Sequence, residues 1–290
     1  MTPIEKVRCL PIWQGEVRVE PLGGGITNTN FVVQDAVRRA VVRVGDDIAV
    51  HQIMRFNELA ASRAAFFAGV SPEVIYHQPG VLVLDFIEAR TLTASELRQD
   101  IMWPQAVALM ARAHREIPQY LRGPVLMFWV FHVLRDYSQT LRDGDSAYVA
   151  LLPELSRHAA MLEAAVGPVD LVFGHNDLLA ANFLHDGARL WLIDWDYAGF
   201  NSALFDLGGL AANSGLSTLQ ETAMLEAYFD HAPDAALWRR YSAMKAASAL
   251  REAVWSMVSE IHSTLEVDFA AYTATNLATY RAAFAAFQQT

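Results

Sequence analysis

The chain has 290 residues, 53% of them hydrophobic and 11% aromatic, ample for a sizeable core and far from the composition of a disordered segment. Its 22 basic against 32 acidic residues give a formal charge of −10, so nucleic acid is repelled and is not expected as a partner. A single cysteine, Cys9, excludes an intrachain disulfide or a site of several thiolates and fits a reducing, cytoplasmic setting.

The first residues carry Glu5, Lys6 and Arg8 and so lack the unbroken apolar core of a secretory signal. Val17–Pro21 and Phe31–Gln34 read as strands around a glycine- and asparagine-rich turn, and Ala40–Val44 is a short β-branched run. From Ala49 to Ala68 the apolar spacing is helical (Ile53, Phe56, Leu59, Ala60, Phe67), with Gly69 and Pro72 beyond its end. Val74–Tyr76 and Val81–Phe86 follow as strands around Gln78-Pro79-Gly80. A hinge is expected near Asp85 to Arg90.

Helices dominate from Thr91 onward. Thr93 or Ser95 can cap one, and Trp103–Glu116 forms another, with Val107, Met110, Ala111 and His114 on one face. The apolar run Val125–Val133, broken only by His132, is far short of the roughly 20 residues needed to cross a bilayer. It is expected to be buried, with no membrane span. A helix over Pro153–Val166 precedes the strand Leu171–Phe173. A hairpin of Phe183-Leu184 and Arg189–Ile193 turns at Asp186-Gly187, and everything after Asn213 reads as helix. There is no internal repeat. The expectation is an α+β, two-lobed fold: residues 1–88 as a nucleotide-binding lobe of antiparallel sheet with one helix, and 89–290 as a larger, mainly helical lobe.

Three segments carry chemistry. The first is Gly174-His175-Asn176-Asp177-Leu178-Leu179-Ala180-Ala181-Asn182, with Ile193-Asp194-Trp195-Asp196 beyond the hairpin. Phosphoryl transfer from ATP needs an acceptor for the hydroxyl proton, oxygen ligands for magnesium and a cradle for phosphates. Asp177 and Asn182 have the Asp-to-Asn spacing of a kinase catalytic loop, and the hairpin can return Asp194 beside Asn182. Such hard oxygen donors suit magnesium. Taken singly, His175-x-Asp177 also reads as a turn and Asp194 as part of a buried ion pair; the joint pattern argues for catalysis, with His175 and Asp177 as candidates.

The second is Leu22–Asn30, where Gly24 and Gly25 would let backbone approach phosphates and Thr27, Asn28 and Asn30 add polar side chains. It lacks the Gly-Lys-Ser/Thr ending of a Walker loop. It also lies between strands rather than opening a helix, which excludes a dinucleotide fingerprint. The third is Arg43 with Glu58 on the next helix, either a phosphate-binding cation held by a carboxylate or an exposed arginine on an edge strand.

Together these segments resemble the choline/ethanolamine kinase branch of the aminoglycoside phosphotransferase-like kinases. The resemblance is densest at Gly23–Phe31, Ala40–Val44, Phe173–Leu184, Leu192–Gly208 and Arg251–Tyr280, and most specific at Ile193–Gly199 with Asn201 and Phe205-Asp206 behind it. It implies a protein-kinase-like fold that uses ATP and magnesium on a small amino alcohol. By resemblance Asp177 is the base, Asn182 and Asp194 hold the metal, Arg43 steadied by Glu58 holds phosphates, and adenine meets backbone near Asp85 and Ile87. Asp196 and Tyr197 would lie by the substrate.

Two departures bear on the acceptor. Asn213 stands where better-known choline kinases have an acid, and Glu252 and Trp255 stand where they have two tryptophans. Trp255 lies roughly a quarter turn off the apolar stripe of Ser242–His262 and can face a cleft. A primary or partly methylated amine is therefore expected to be preferred over choline. An aminoglycoside, thiamine or methylthioribose acceptor leaves the same catalytic residues, and a pseudokinase would need one of them missing. The oligomeric state is not readable.

Overall fold

The computed structural model describes residues 2–23, 27–263 and 267–290. Gly24 and Gly25, expected to cradle phosphates, lie outside the described residues. Helix α1 (Pro3–Arg8), unanticipated in the sequence, is closed by a reciprocal cap between Thr2 and Glu5. Strands β1 (Arg18–Leu22), β2 (Thr29–Gln34) and β3 (Arg39–Val44) follow. Next comes helix α2 (Arg55–Phe67), then strands β4 (Val74–Gln78) and β5 (Val81–Asp85). The five strands form an antiparallel sheet in the order β1-β2-β3-β5-β4. The two-residue period of a strand places Phe31, Val33, Ala40, Val42, Val81 and Val83 on one face, where they bury Val7 and Leu10 in a small core.

The helix expected from Ala49 starts later. Ala49–His51 is one 3₁₀ turn and Gln52 has φ 59°, because Ile48 and Ile53 bond each other's backbone at 2.9 and 3.2 Å. That bridge takes up amide groups a continuous helix would use, and it buries Ile53. The alanine face of α2 (Ala61, Ala64, Ala65) does not join the core beneath the sheet. It belongs to the larger core of the helical part and packs on helix α4 (Trp103–Tyr120).

After β5 the chain leaves the sheet through strand β6 (Arg90–Thr91), and Thr93 caps the short helix α3 (Ala94–Leu97). Beyond α4 come helices α5 (Val130–Asp143) and α6 (Leu152–Val166), then strands β7 (Leu171–Gly174), β8 (Phe183–His185), β9 (Leu190–Leu192) and β10 (Gly199–Ser202). The expected buried run Val125–Val133 divides: Met127 is 60% exposed, and α5 starts only at Val130. The Asp186-Gly187 turn forms as the sequence predicts, with Asp186 Oδ1 accepting the N–H groups of Ala188 and Arg189 at 2.8 Å and Gly187 at φ 96°.

Helices α7 (Ala203–Ser214), α8 (Thr218–Phe229), α9 (Ala235–His262) and α10 (Phe269–Phe287) complete the fold. Helix α9 runs through the middle of the larger core, packed on α5, α6, α7 and α10. The architecture is α+β, an antiparallel sheet joined to a larger helical part. Among the described residues no helix is long and apolar enough to cross a membrane.

Candidate active site

Strands β7 and β10 pair so that Gly174 faces Gly199, and the loops that carry Asp177 and Asp194 therefore meet at one place. Both loops turn through left-handed backbone, Asn176 at φ 65° and Asp194 at φ 71°, a conformation that Asn and Asp tolerate best among residues with a Cβ. The Asn176 amide knits them together: Nδ2 donates to the Tyr197 and Gly199 carbonyls at 2.9 and 3.2 Å, and Oδ1 accepts from Asn201 at 3.0 Å. Asp206, in the first turn of α7, accepts the backbone N–H groups of His175 and Asn176 at 2.8 Å each. Burial pushes its carboxyl upward, but hydrogen bonding and charge at His114 more than reverse this and leave the pKa lowered.

His175, expected among the catalytic groups, is interior. Its Nε2 lies 2.9 Å from the Ile193 carbonyl, and its Nδ1 accepts the Asp177 N–H at 3.3 Å. Burial lowers its pKa, and the uncharged ring bridges the two loops.

Asp177 itself is 19% exposed at the side chain. Burial raises its pKa to about 7; the nearby Arg251 guanidinium opposes the shift, and Glu252 and Asp194 add to it. That is a suitable range for a base at neutral pH. Arg251 Nη2 donates to the Asn176 carbonyl at 2.9 Å and lies 3.4 Å from Asp177 Oδ1, while Nη1 pairs with Glu252 at 3.0 Å. Asn182 Nδ2 donates to the Asp177 carbonyl at 2.8 Å, which leaves Oδ1 as the atom a metal could use. The neighbouring Ile193 N–H donates to the Asn182 carbonyl at 3.0 Å and sets Asp194, 29% exposed, next to it. One carboxylate and one amide oxygen fit magnesium, which keeps most of its waters.

Arg43 is not an edge-strand residue: β3 is central, and the side chain is 7% exposed. It contacts Asp194 at 2.7 Å, Asp196 at 2.9 Å and Glu58 at 2.9 Å. Burial works against its charge, yet those three carboxylates hold its pKa well above the ordinary value. Asp196, expected beside the substrate, is instead consumed by protein. Arg43 and Arg55 bind Oδ1, both at 2.9 Å, while Thr27 Oγ1 and Asn28 Nδ2 bind Oδ2 at 2.7 and 3.2 Å. Thr27 and Asn28 thereby fold the end of the glycine segment onto the second loop. Asn30, opposite Arg43 across the strands, keeps its Oδ1 buried without a partner among the described residues. The Asp85 and Phe86 N–H groups are taken by the Glu73 and Arg39 carbonyls, and the Ile87 N–H meets no acceptor among the described residues.

On the other side of Asp177 is a cavity of about 30 Å³ whose wall includes Asn213, Ser248, Arg251, Glu252 and Asn276. Of the five residues expected at the substrate, only Asn213 and Glu252 line it. Tyr197 is buried and accepts the Trp255 indole N–H at 2.8 Å. Trp255 faces a separate cleft of about 360 Å³, shared with Thr27, His51, Ser259 and Phe269. The arginines Arg55 and Arg251, with Asn176 and Asp206, went unassigned in the sequence. The only local signs were Arg55 three residues before Glu58 and Arg251 adjoining Glu252.

A model of the phosphotransferase enzyme family matches residues 18–279. Protein LicA of Haemophilus influenzae is 29% identical over 210 residues, 71% of this chain and 61% of that protein, so the chain spans less than two thirds of its length. Ethanolamine kinase 2 of Mus musculus is 24% identical over 292 residues, covering 90% of this chain and 75% of its own. Among solved structures, a choline/ethanolamine kinase family protein from Mesorhizobium loti superposes with a TM-score of 0.77 at 27% identity, over 99% of this chain and 98% of that one.

Proposed function

The chain belongs to the phosphotransferase enzyme family, and from that premise we propose that it transfers the γ-phosphate of ATP to the hydroxyl of a small amino alcohol. The observation that carries this reading is the convergence of Asp177, Asn182 and Asp194 through Asn176 and the β7–β10 pair. Asp177 takes the acceptor's proton as its oxygen bonds to phosphorus and the bond to the ADP oxygen breaks. Arg43, beside Asp194 and paired with Glu58, is the donor for phosphate oxygens. Asn182 and Asp194 would hold magnesium, which would supply neutralisation of charge on the phosphates. The relatives named ethanolamine kinase and choline/ethanolamine kinase support the acceptor class.

Within that class we favour an amine that carries N–H groups. The wall of the cavity at Asp177 combines Asn213, Ser248, Glu252 and Asn276 with apolar residues that include Phe205, whereas Trp255 and Tyr197, two faces a quaternary ammonium would seek, are not part of it. The test is ADP release with magnesium against ethanolamine, its methylated forms, choline, thiamine, methylthioribose and kanamycin. Turnover fastest with ethanolamine or its monomethyl form is expected. Choline turned over far faster than ethanolamine would overturn the preference, and kanamycin or methylthioribose as sole acceptor would overturn the class.

A further inference from the structure

Arg43 and Arg55 share the same two buried carboxylates, but they are bonded differently. Arg55 Nη1 donates to Glu58 Oε2 at 2.8 Å and to Asp196 Oδ1 at 2.9 Å. Its Nε and Nη2 are held by the Asp46 and Thr27 carbonyls, each at 3.0 Å. All three of its nitrogens are committed to protein. Arg43 donates through Nη2 alone, to Asp194 and Asp196. Its Nε lies 2.9 Å from Glu58 Oε1, but the geometry is not that of a hydrogen bond, and both buried atoms are left without one.

We propose that Arg55 is the standing counter-ion of Asp196, and that its presence is what lets Arg43 turn its Nη2 from Asp194 and Asp196 to the phosphates of the nucleotide while it stays beside Glu58. This rests on the phosphotransferase reading above, with Asp194 a metal ligand.

The argument is one of buried charge. The Asp196 side chain is 3% exposed and that of Glu58 4%, and a carboxylate so placed is strongly destabilised when its cation leaves. With Arg55 fixed, a turn of Arg43 away from Asp196 leaves that carboxylate paired. Without Arg55, Arg43 is the sole cation among the described residues for Glu58, Asp194 and Asp196, and a phosphate contact made through Nη2 strips Asp196 of its partner. Arg55 is thus a positioning residue that acts through Arg43, and its effect requires the charge of Asp196.

The test is calorimetric binding of MgATP and, separately, of adenosine, which has no phosphate for Arg43 to meet. The proteins are the unaltered chain, Arg55→Ala, Asp196→Asn and the double variant, with melting temperatures recorded for each. Arg55→Ala is expected to weaken MgATP by ~10-fold or more while adenosine stays within about 2-fold, and Asp196→Asn in that background is expected to recover most of the loss. A merely structural role predicts equal loss of both probes and no recovery. Either of those results, or unchanged MgATP binding in Arg55→Ala, overturns the proposal. Should Arg55→Ala fail to fold, Arg55→Gln and Arg55→Lys replace it, the neutral variant expected to lose MgATP and the charged one to keep it. An unaltered chain that binds adenosine but no MgATP would overturn the phosphotransferase reading, and this inference with it.

Discussion

His114 and Asp206 form a fully buried pair, with Nε2 2.9 Å from Oδ2 and each side chain 1% exposed, directly beneath the loop that carries Asp177. The same carboxylate receives two backbone N–H groups of that loop, so its loss leaves several buried partners unsatisfied at once. Asp206→Ala is expected to destabilise the protein by about 3–5 kcal/mol in urea unfolding. Asp206→Asn keeps the size but sets an NH2 against a peptide donor, so it should fold with a smaller loss of about 1–3 kcal/mol and a sharply reduced kcat. A normal kcat in Asp206→Asn would show that the loop does not depend on this anchor.

Asp177→Asn removes the proton acceptor and preserves the shape. The expected outcome is a kcat lower by ~10²–10⁴-fold, with MgATP affinity within a few-fold of the unaltered protein. Turnover within a few-fold of normal would reject Asp177 as the base.

Asp194→Ala removes the carboxylate assigned to magnesium. The magnesium concentration for half-maximal activity should rise by at least the ~10–100-fold that loss of even an outer-shell partner costs. An unchanged magnesium titration removes Asp194 from the metal site.

His51 gives the fold an acid limb. It is buried between Tyr137, Ser259 and Trp255, and burial, with Arg251 and His262 adding, lowers its pKa from 6.5 to about 4. Above pH 6.5 the ring is neutral whether the chain is folded or not. As the pH falls from 6.5 toward 4, the unfolded chain takes up a proton that the folded one refuses, so stability is lost across that window, by up to about 3 kcal/mol. Urea unfolding of His51→Phe between pH 4 and 7 should show a flatter acid limb. An identical limb in the variant assigns the acid sensitivity elsewhere.

Gly208 marks the close crossing of α7 and α9: a Cβ built there would lie 2.7 Å from Lys245 Cα and 3.0 Å from its backbone N. Gly208→Ala is therefore expected to cost about 1–3 kcal/mol by overpacking, visible as a lower melting temperature, with KM for ATP unchanged.

Much of this was legible in advance because the signals were local. The alternating apolar residues of β2 and β3, the Asp186-Gly187 turn and the Asp177–Asn182 spacing each specify their geometry within a few residues. The later start of α2 was not, because it depends on a bridge between Ile48 and Ile53 that competes with helical periodicity. Arg55 and Arg251 were hidden for a different reason: their partners Asp196 and Asp177 are 141 and 74 residues away in the chain. Asp196 was placed beside the substrate by the family resemblance, yet two guanidinium groups pair with it in the fold. Trp255 was rightly expected to face a cleft, but that cleft is not the one that contains Asp177.

The packing of α2 has a mechanical consequence. Its alanine face is set in the larger core, so Glu58 and Arg55 sit on an element packed against the part that bears Asp177, while Arg43 lies on the central strand of the sheet. The carboxylate–guanidinium cluster therefore straddles a seam. Arg55 spans it as well, since its Nε and Nη2 hold the Asp46 and Thr27 carbonyls beside the sheet while its Nη1 holds Asp196. Two guanidinium groups thus fasten the sheet to the helical part at one shared carboxylate.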